Sequence, residues 1–460
     1  MSTTTDVPAR LAEVIGSKRI VAAAEELETY AVDGRLPGAI VRPVSTEEAI
    51  EVVRFARTEK LAILPLGGRS KCEVGMTPDR YDIALDMTGL REIAHYDPGD
   101  LTLSVDAGMR LRELEIHLKQ HGQVLPLAVP CFESATVGGS VSCGIDSALR
   151  LQYGSVRDFV IGAEFIDGTG QLCKSGGRVV KNVTGYDLHK LLIGSLGTLG
   201  VLTRVNFRTY PLPAISGGYV ACFGNAQEAL VFKKAVEKSG LPLANLELFD
   251  QRAARMIHAI LARTEEASLP ELEREEWCAY GSFEGSEEVV RRIGGELEKI
   301  TRESGTGHSR ILEPAEDVVL GGMLRESFEW LRWGAPATLL CRLALPEVTE
   351  KVSTELSQLA GSLGLASAVI VRAAGIVYLG VFAETENEEA ITALQKMATS
   401  AMAIARSENG HATLLHAPLM VKRSVVGANL SQAQTGLQQR VKQAFDPSGV
   451  FAPGRVVGGI

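Results

Sequence analysis

Two glycine-rich stretches, each following a run of apolar residues, constrain the fold of this chain more than any other feature. The first is Pro65-Leu66-Gly67-Gly68-Arg69-Ser70, and the second covers residues 130–142, including Gly138 and Gly139. No side chains cover the backbone N–H groups of these glycines, so a phosphate or a flat ring can approach closely. The first stretch matches neither G-x-G-x-x-G nor G-K-[ST]. It therefore predicts a bound dinucleotide in a fold other than the Rossmann and P-loop folds.

A third stretch of the same kind, residues 194–203, has a glycine at every third position from Gly194 to Gly200. Each stretch alone is also typical of a tight turn beside a strand. Three such stretches in one domain favour one common ligand. The hydroxyl groups of the second stretch can donate hydrogen bonds to that ligand.

Composition excludes several classes of protein. The 460 residues carry a formal net charge of -9 and seven scattered cysteines without a C-x-x-C pair. The charge argues against a nucleic acid partner, since phosphate binding needs clustered Lys and Arg. The cysteine spacing argues against an iron–sulfur or zinc site within this chain and is typical of reduced thiols in a cytosolic protein. The first residues lack the features of a secretory signal, and the apolar run at 369–382 is interrupted by Arg372 and is too short to cross a bilayer.

The order of predicted elements divides the chain in two. Ser45 is the predicted N-cap of a helix that ends near residue 59, and a buried strand is expected at 61–65. Mostly strand is expected from 82 to 212, including one strand at 160–166. In the second half, four long helices alternate with apolar strands, which predicts an α+β layer with helices on one face and no internal repeat. The helices are expected at 226–239, 287–303, 347–363 and 386–406, and the strands at 218–223, 337–345, 368–371 with 377–383, and 412–415. Pro213 followed by Ser216-Gly217-Gly218 predicts the boundary between the halves.

Further motifs follow the glycine stretches in a defined order. They are Tyr153-Gly154, Asp158, Lys181-Asn182-Val183-Thr184-Gly185-Tyr186-Asp187-Leu188, Phe445-Asp446-Pro447 and Pro453-Gly454-Arg455. Together with the glycine stretches, they resemble the FAD-binding domain of the vanillyl-alcohol oxidase and p-cresol methylhydroxylase (PCMH-type) family. The runs at 154–158 and 410–414 look most like the FAD-binding subunit of bacterial glycolate oxidase and the related D-2-hydroxyacid dehydrogenases.

This resemblance implies an α+β fold class, with a two-part PCMH-type FAD-binding domain and an α+β, ferredoxin-like cap domain. The FAD-binding domain is expected at 1–215, in subdomains of about 8–95 and 96–215. The cap is expected at 216–435, and residues 436–460 are expected to return to the FAD domain.

The resemblance also implies which residues hold FAD. They are Pro65, Leu66, Gly67, Gly68, Arg69, Ser70, Pro130, Ser134, Ala135, Thr136, Gly138, Gly139, Ser142, Tyr153, Gly154, Asp158, Gly200 and Val201. Arg69 stands where some relatives carry a histidine that binds the flavin covalently. Ser134 stands nearest to the position where bicovalent relatives carry a cysteine. Non-covalent FAD is therefore expected, and no metal.

The cap departs from the pattern of the catalytic D-2-hydroxyacid dehydrogenases. Their cap carries a His-x-Gly-x-Gly-Asn-Leu-His run whose histidines help to hold a metal, whereas residues 371–378 here contain no histidine. Leu196 also replaces a glutamate that many relatives have. His411 and His416 are five residues apart on one predicted strand, so they should point to opposite faces. The catalytic residues are unknown from sequence, with Arg332, Arg342, Arg372, Tyr378 and His411 as candidates.

These features favour an FAD-dependent oxidoreductase subunit that oxidises a small 2-hydroxy acid, such as glycolate or D-lactate, and passes electrons to a separate acceptor. One alternative is a non-catalytic FAD-binding assembly subunit beside a catalytic paralogue, which the missing histidines support. Another is a sugar or polyol oxidase of the same fold. The expected partners are an iron–sulfur subunit and a paralogous flavoprotein subunit. The expected location is the cytoplasm, with peripheral attachment to the inner face of the membrane through these partners.

Overall fold

The structure is a computed structural model that describes residues 7–178, 185–264, 269, 272, 276–305, 308–425 and 432–456. The Lys181-Asn182-Val183-Thr184 part of the predicted motif lies outside these residues. The helices are α1 (Val7–Ile15), α2 (Ala24–Glu28), α3 (Thr46–Glu59), α4 (Leu111–Gln120), α5 (Val137–Cys143), α6 (Arg150–Tyr153), α7 (Val156–Phe159), α8 (His189–Leu192), α9 (Ala226–Ser239), α10 (Gln251–Thr264), α11 (Glu287–Glu303), α12 (Pro314–Arg325), α13 (Ser327–Arg332), α14 (Glu350–Ser362), α15 (Glu388–Ser407), α16 (Leu419–Ser424) and α17 (Gln432–Phe445). The strands are β1 (Ile20–Val21), β2 (Ala39–Val41), β3 (Ile63–Leu66), β4 (Ile83–Asp86), β5 (Ile93–Asp97), β6 (Thr102–Asp106), β7 (Gln123–Val124), β8 (Val160–Ile166), β9 (Leu172–Gly176), β10 (Val201–Arg208), β11 (Tyr210–Pro211), β12 (Ile215–Phe223), β13 (Leu243–Asp250), β14 (Trp277–Gly285), β15 (His308–Ile311), β16 (Ala337–Ala344), β17 (Ala366–Arg372), β18 (Ile376–Ala383) and β19 (His411–His416).

The first sheet has the strand order β1-β2-β4-β3, with β4 parallel to both of its neighbours. Helix α3 covers it, and the Ser45 hydroxyl accepts the backbone N–H of Glu48, as expected of an N-cap. The apolar stripe of α3 packs against Ile63 and Ile83. Near the C-terminus, Phe451 forms a bridge beside Ile63, so the end of the chain contacts this sheet.

The second sheet is antiparallel, with the order β5-β6-β10-β8-β9. Helices α4 and α5 pack on one apolar cluster with it. Strand β8 has the predicted bounds. The edge strands β5 and β9 are only partly buried and lack the continuous apolar run that reveals the inner strands.

The third sheet has eight antiparallel strands in the order β15-β12-β14-β13-β17-β18-β16-β19. It consists of two units, β12-α9-β13-β14-α11-β15 and β16-α14-β17-β18-α15-β19, which have the same strand order and join edge to edge through β13 and β17. Each unit has the βαββαβ arrangement of a ferredoxin-like fold. The predicted ferredoxin-like cap is thus confirmed, but it is duplicated, and the prediction that the chain has no repeat is wrong at the level of structure.

Helices cover both faces of the eight-stranded sheet. The four helices of the repeated units, α9, α11, α14 and α15, share one apolar cluster. The opposite face packs on α10, α12 and α13 and on residues of the N-terminal half, including Val74 and Ile145. The predicted single helical layer is therefore correct only for the repeated helices. Among the described residues, no helix is both long enough and apolar enough to cross a membrane.

Candidate functional site

All three glycine stretches line one cleft in the N-terminal half. Its walls are the end of β3 with the following loop, the start of α5, and the turn that leads into β10. The cleft encloses about 760 Å³ of empty space, its open mouth included. The predicted residues that line it are Pro65, Leu66, Gly67, Gly68, Arg69, Ser70, Ala135, Thr136, Gly138, Gly139, Ser142, Gly200 and Val201. The structure thus brings together segments about 130 residues apart.

The glycines of the first two stretches allow the loops to pack against each other. A Cβ on Gly67 would lie 2.0 Å from Thr136 Oγ1, and a Cβ on Gly68 would lie 1.6 Å from the backbone oxygen of Ser134. A Cβ on Gly138 would lie 2.7 Å from that of Ala107. These glycines therefore form the wall of the cleft by loop-to-loop contact. This explains their position better than the expected direct approach of a ligand to each of them.

The wall contains polar groups that have no protein partner. The backbone N–H groups of residues 67–70 donate to no acceptor in the described part of the chain, and Arg69 has a φ of 57°. Successive free N–H groups in such a conformation form anion-binding concavities. Ser140 Oγ and Arg455 Nε are also buried without a partner, and both residues line the cleft.

The cleft has sources of positive charge besides the predicted Arg69, which also lines it. The Arg69 guanidinium is 3.9 Å from the centre of the Tyr30 ring and faces that ring. Lys71, in contrast, is 6 % exposed and lines the cleft together with Arg455. Burial lowers the pKa of the Lys71 ammonium. Sequence reasoning missed Lys71 and Ser140, although they directly follow Ser70 and Gly139, which it selected. It noted Arg455 only as part of a motif.

This set of groups fits FAD. A pyrophosphate needs N–H donors and positive charge, which residues 67–70 and Arg455 supply, and a buried hydroxyl such as that of Ser140 can bond a polar edge of a ring. Two thiols, Cys72 and Cys143, also line the cleft. Burial raises the pKa of Cys72 to about 11 and also raises that of Cys143. Both are therefore neutral and weakly nucleophilic.

Five of the predicted cofactor residues do not line this cleft. Pro130 is buried at the start of the second stretch, and the backbone oxygen of Ser134 packs against Gly68 of the first loop. The Tyr153 hydroxyl donates to Glu284 on β14. Asp158 accepts the N–H and hydroxyl of Ser155 at the start of α7, and a Cβ on Gly154 would lie 2.6 Å from Asp158 Oδ2. Tyr153 therefore joins the N-terminal half to the cap, and Gly154 and Asp158 shape the start of α7.

The predicted cap arginines pair with carboxylates. Arg342 bonds the carboxylate of Asp146, and Arg372 Nε donates to Glu247 Oε1 at 2.9 Å. Arg372 Nη1 also donates to the backbone oxygen of Asp146 at 3.0 Å and lies 3.4 Å from the Tyr378 hydroxyl. This charged network joins the cap to the N-terminal half. None of its members lines the cleft.

Arg332 lies nearest to the cleft among the cap candidates. Its Nη1 is 3.5 Å from the backbone oxygen of Ser70, while its Nη2 is 2.8 Å from Glu329. His411 is exposed at the start of β19, and His416 at its end bonds Glu73. The residues that the structure describes include no group of three or more His, Cys, Asp or Glu side chains that could hold a metal.

Comparison with known proteins identifies the two halves separately. Residues 37–176 match the FAD binding domain family, and residues 218–456 match the C-terminal domain of FAD linked oxidases. The solved structure of p-cresol methylhydroxylase with substrate bound superposes with a TM-score of 0.80 at 15% identity, covering 100% of this chain and 97% of that one. An alkyldihydroxyacetonephosphate synthase superposes with a TM-score of 0.71 at 15% identity, over 96% of this chain and 85% of the other. These likenesses confirm the α+β, PCMH-type fold.

Curated relatives include dehydrogenases and an oxidase subunit. The chain is 36% identical over 206 residues to glycolate oxidase subunit GlcE of Escherichia coli K12, covering 45% of this chain and 58% of the relative. It is 26% identical to D-lactate dehydrogenase of Archaeoglobus fulgidus, covering 91% of each chain. Because the C-terminal match alone spans more than half of the chain, the protein belongs to the FAD-linked oxidases and is an oxidoreductase with FAD as its cofactor.

Proposed function

We propose that this protein oxidises a small 2-hydroxy acid, such as glycolate or D-lactate, and passes the electrons to a separate acceptor. The observation that carries the proposal is the cleft of the N-terminal half, with its unpaired N–H groups and buried cations. The relatives named as a glycolate oxidase subunit and as a D-lactate dehydrogenase support the substrate class.

The residues of the cleft would hold FAD without a covalent bond. The N–H groups of residues 67–70 and the Arg455 guanidinium would bind the pyrophosphate, and Ser140 would bond a polar edge of the cofactor. When bound, FAD supplies the acceptor for the hydride of a hydroxy acid. Cys72 and Cys143 would stay neutral beside it and form no linkage.

We assign each proposed role to one region of the chain. Residues 1–215 would bind FAD, with a division near 95, residues 216–435 would form the cap over the cleft, and 436–460 would return to the FAD domain. The contact between Phe451 and Ile63 supports the last assignment. So does Arg455, which donates to the backbone oxygen of Met76 at 3.0 Å.

We also propose that the protein works within an assembly. Its relative in Escherichia coli is named as a subunit, which supports an iron–sulfur subunit and a paralogous flavoprotein subunit as partners. These partners would receive the electrons and would hold the protein at the inner face of the cytoplasmic membrane.

A second function is favoured by one observation. The cap arginines Arg332, Arg342 and Arg372 all pair with carboxylates of this chain. A non-catalytic subunit that binds FAD for assembly would need no arginine for a substrate.

Anaerobic reduction distinguishes the two functions. The purified protein is expected to show flavin absorbance that bleaches when glycolate or D-lactate is added. Bound flavin that stays oxidised, but is reduced once a paralogous subunit is added, would establish the assembly role. Protein without affinity for FAD would contradict both proposals.

A further inference from the structure

Lys71 differs from the other buried lysines of the described residues. Three lysines there are buried: Lys71 and Lys233, each 6 % exposed, and Lys422, 1 % exposed. Lys233 Nζ lies 2.6 Å from Glu237, and Lys422 Nζ lies 2.8 Å from Asp33. Lys71 Nζ has one hydrogen bond, of 3.2 Å, to the Ser70 hydroxyl, and no carboxylate within ion-pair distance among the described residues. A buried cation of this kind is costly unless an anion joins it.

The carboxylates around Lys71 are committed to other groups. Glu326 accepts the backbone N–H of Cys131. Glu329 pairs with Arg332, and Glu73 bonds His416. Since the described residues leave no carboxylate for Lys71, we expect an anion from outside the chain to supply the counter-charge.

The position of Lys71 favours a substrate over the pyrophosphate as the source of that charge. The backbone N–H of Lys71, like those of residues 67–70, donates to no acceptor among the described residues, so it is the contacts of this loop with the cap that distinguish the Lys71 ammonium. Arg332 of the cap has its Nη1 3.5 Å from the backbone oxygen of Ser70. The Cys131 thiol lies 3.6 Å from the same oxygen, and the Cys131 N–H donates to Glu326 of the cap. Lys71 thus follows directly on the residue through which this loop contacts the cap.

We propose that the Lys71 ammonium binds the carboxylate of the hydroxy acid. The proposal rests on the function proposed above and names the residue that replaces an arginine of the cap. A hydroxy acid of two or three carbons has a single carboxylate, which one ammonium can neutralise. The Ser70 hydroxyl beside Nζ offers this carboxylate a second hydrogen-bond donor. The same ammonium would bind oxalate, which has the same charged end and cannot be oxidised at a C–H bond.

Oxalate titration of the FAD-loaded protein tests this role. Oxalate is expected to perturb the flavin absorbance, and Lys71→Met should raise its Kd by at least about tenfold, the loss expected for one charged hydrogen bond. Lys71→Arg should recover part of the affinity. Lys233→Met, a buried lysine remote from the cleft, should leave the Kd unchanged. With D-lactate as substrate, Lys71→Met should raise KM more than it lowers kcat.

The outcomes separate this inference from the proposed function. If Lys71→Met binds oxalate as the unaltered protein does, or if its only defect is a raised Kd for FAD, the inference is wrong. Absence of oxalate binding to the unaltered protein would also overturn it. If oxalate binds in a Lys71-dependent way but no 2-hydroxy acid reduces the flavin, the anion site stands and the proposed function fails.

Discussion

Two groups of cations, one at the contact of the cap with the N-terminal half and one in the cleft, have opposite surroundings. In the interface network, Arg342 and Arg372 each pair with a carboxylate of the chain itself. In the cleft, the partners of Lys71 and Arg455 among the described residues are a hydroxyl and backbone oxygens, and Arg455 Nε has none. Each cation of the network thus has a carboxylate partner, although Glu247 Oε2 makes no hydrogen bond, whereas the cations of the cleft have no carboxylate partner among the described residues.

This difference assigns the cations of the network to the stability of the fold and those of the cleft to ligand binding. A cation that pairs with a buried carboxylate contributes to folding, and its removal leaves the acid unpaired. A buried cation without a carboxylate partner destabilises the ligand-free protein, and this cost is removed when an anionic ligand binds. Substitutions in the two regions should therefore differ in whether FAD changes their effect.

The largest effect is expected in the network, from Arg372→Met. Glu247 is fully buried, so loss of Arg372 leaves an unpaired charge and should lower the free energy of unfolding by about 3–5 kcal/mol. Urea denaturation measures the change, which should be the same with and without FAD. Arg291→Met, in an exposed pair with Glu287, is the control and should cost less than about 1 kcal/mol. A loss for Arg372→Met as small as that of the control would contradict the assignment of the network to stability.

The second largest effect is expected in the wall of the cleft, from Gly68→Ala. The new Cβ would overlap the backbone oxygen of Ser134, so the two loops must separate, at a cost of about 1–3 kcal/mol. FAD affinity should fall with stability, since both depend on the packed loops. Fluorescence titration with FAD and urea denaturation measure the two quantities. Gly295→Ala is the matched control, because nothing lies within 4 Å of its Cβ position in α11. If Gly68→Ala kept both properties, our account of the loop packing would be wrong.

The sequence predicted those helices and strands that depend on residues close to each other in the chain, such as an N-cap and an apolar repeat. Helix α9 and helix α11 have the predicted bounds because apolar periodicity and Asn or Ser caps define them. Strand β13 was not predicted, because its interior carries Asn245 and Glu247. Glu247 is acceptable there only because Arg372 arrives from β17, more than a hundred residues later.

The candidate site shows the same limit. The three glycine stretches were visible as local signals, and the structure places them around one cleft. The sequence did not reveal which basic side chain of the loop is buried in the wall of that cleft. Arg69 has a left-handed backbone and faces Tyr30, while Lys71 is buried in the wall. The choice depends on the path of the loop, which its contacts with the second stretch determine.

A smaller effect compares two buried serines, Ser140 and Ser195. Ser140 Oγ has no partner in the cleft wall, whereas Ser195 Oγ donates to the Leu192 carbonyl at 2.8 Å. Ser140→Ala should leave the empty protein as stable or more stable and should weaken FAD binding by about 0.5–1.5 kcal/mol. Ser195→Ala should destabilise the empty protein by a similar amount. Urea denaturation without FAD measures both changes in the free energy of unfolding. If Ser140→Ala lowered it as much as Ser195→Ala does, Ser140 would have a partner within the protein, contrary to our prediction.

The smallest effect concerns Glu73, which joins the loop beside the cleft to His416 of the cap. The hydrogen bond from His416 holds the pKa of Glu73 below its ordinary value. A carboxyl whose pKa is lowered by folding adds stability above its unfolded pKa and loses that contribution as the pH falls through the folded value. Glu73→Gln should therefore cost less than about 1 kcal/mol near pH 6. The difference from the unaltered protein should shrink when urea denaturation is repeated below pH 4. A difference independent of pH would show that the Glu73 charge adds nothing, and that this contact joins the two halves by packing alone.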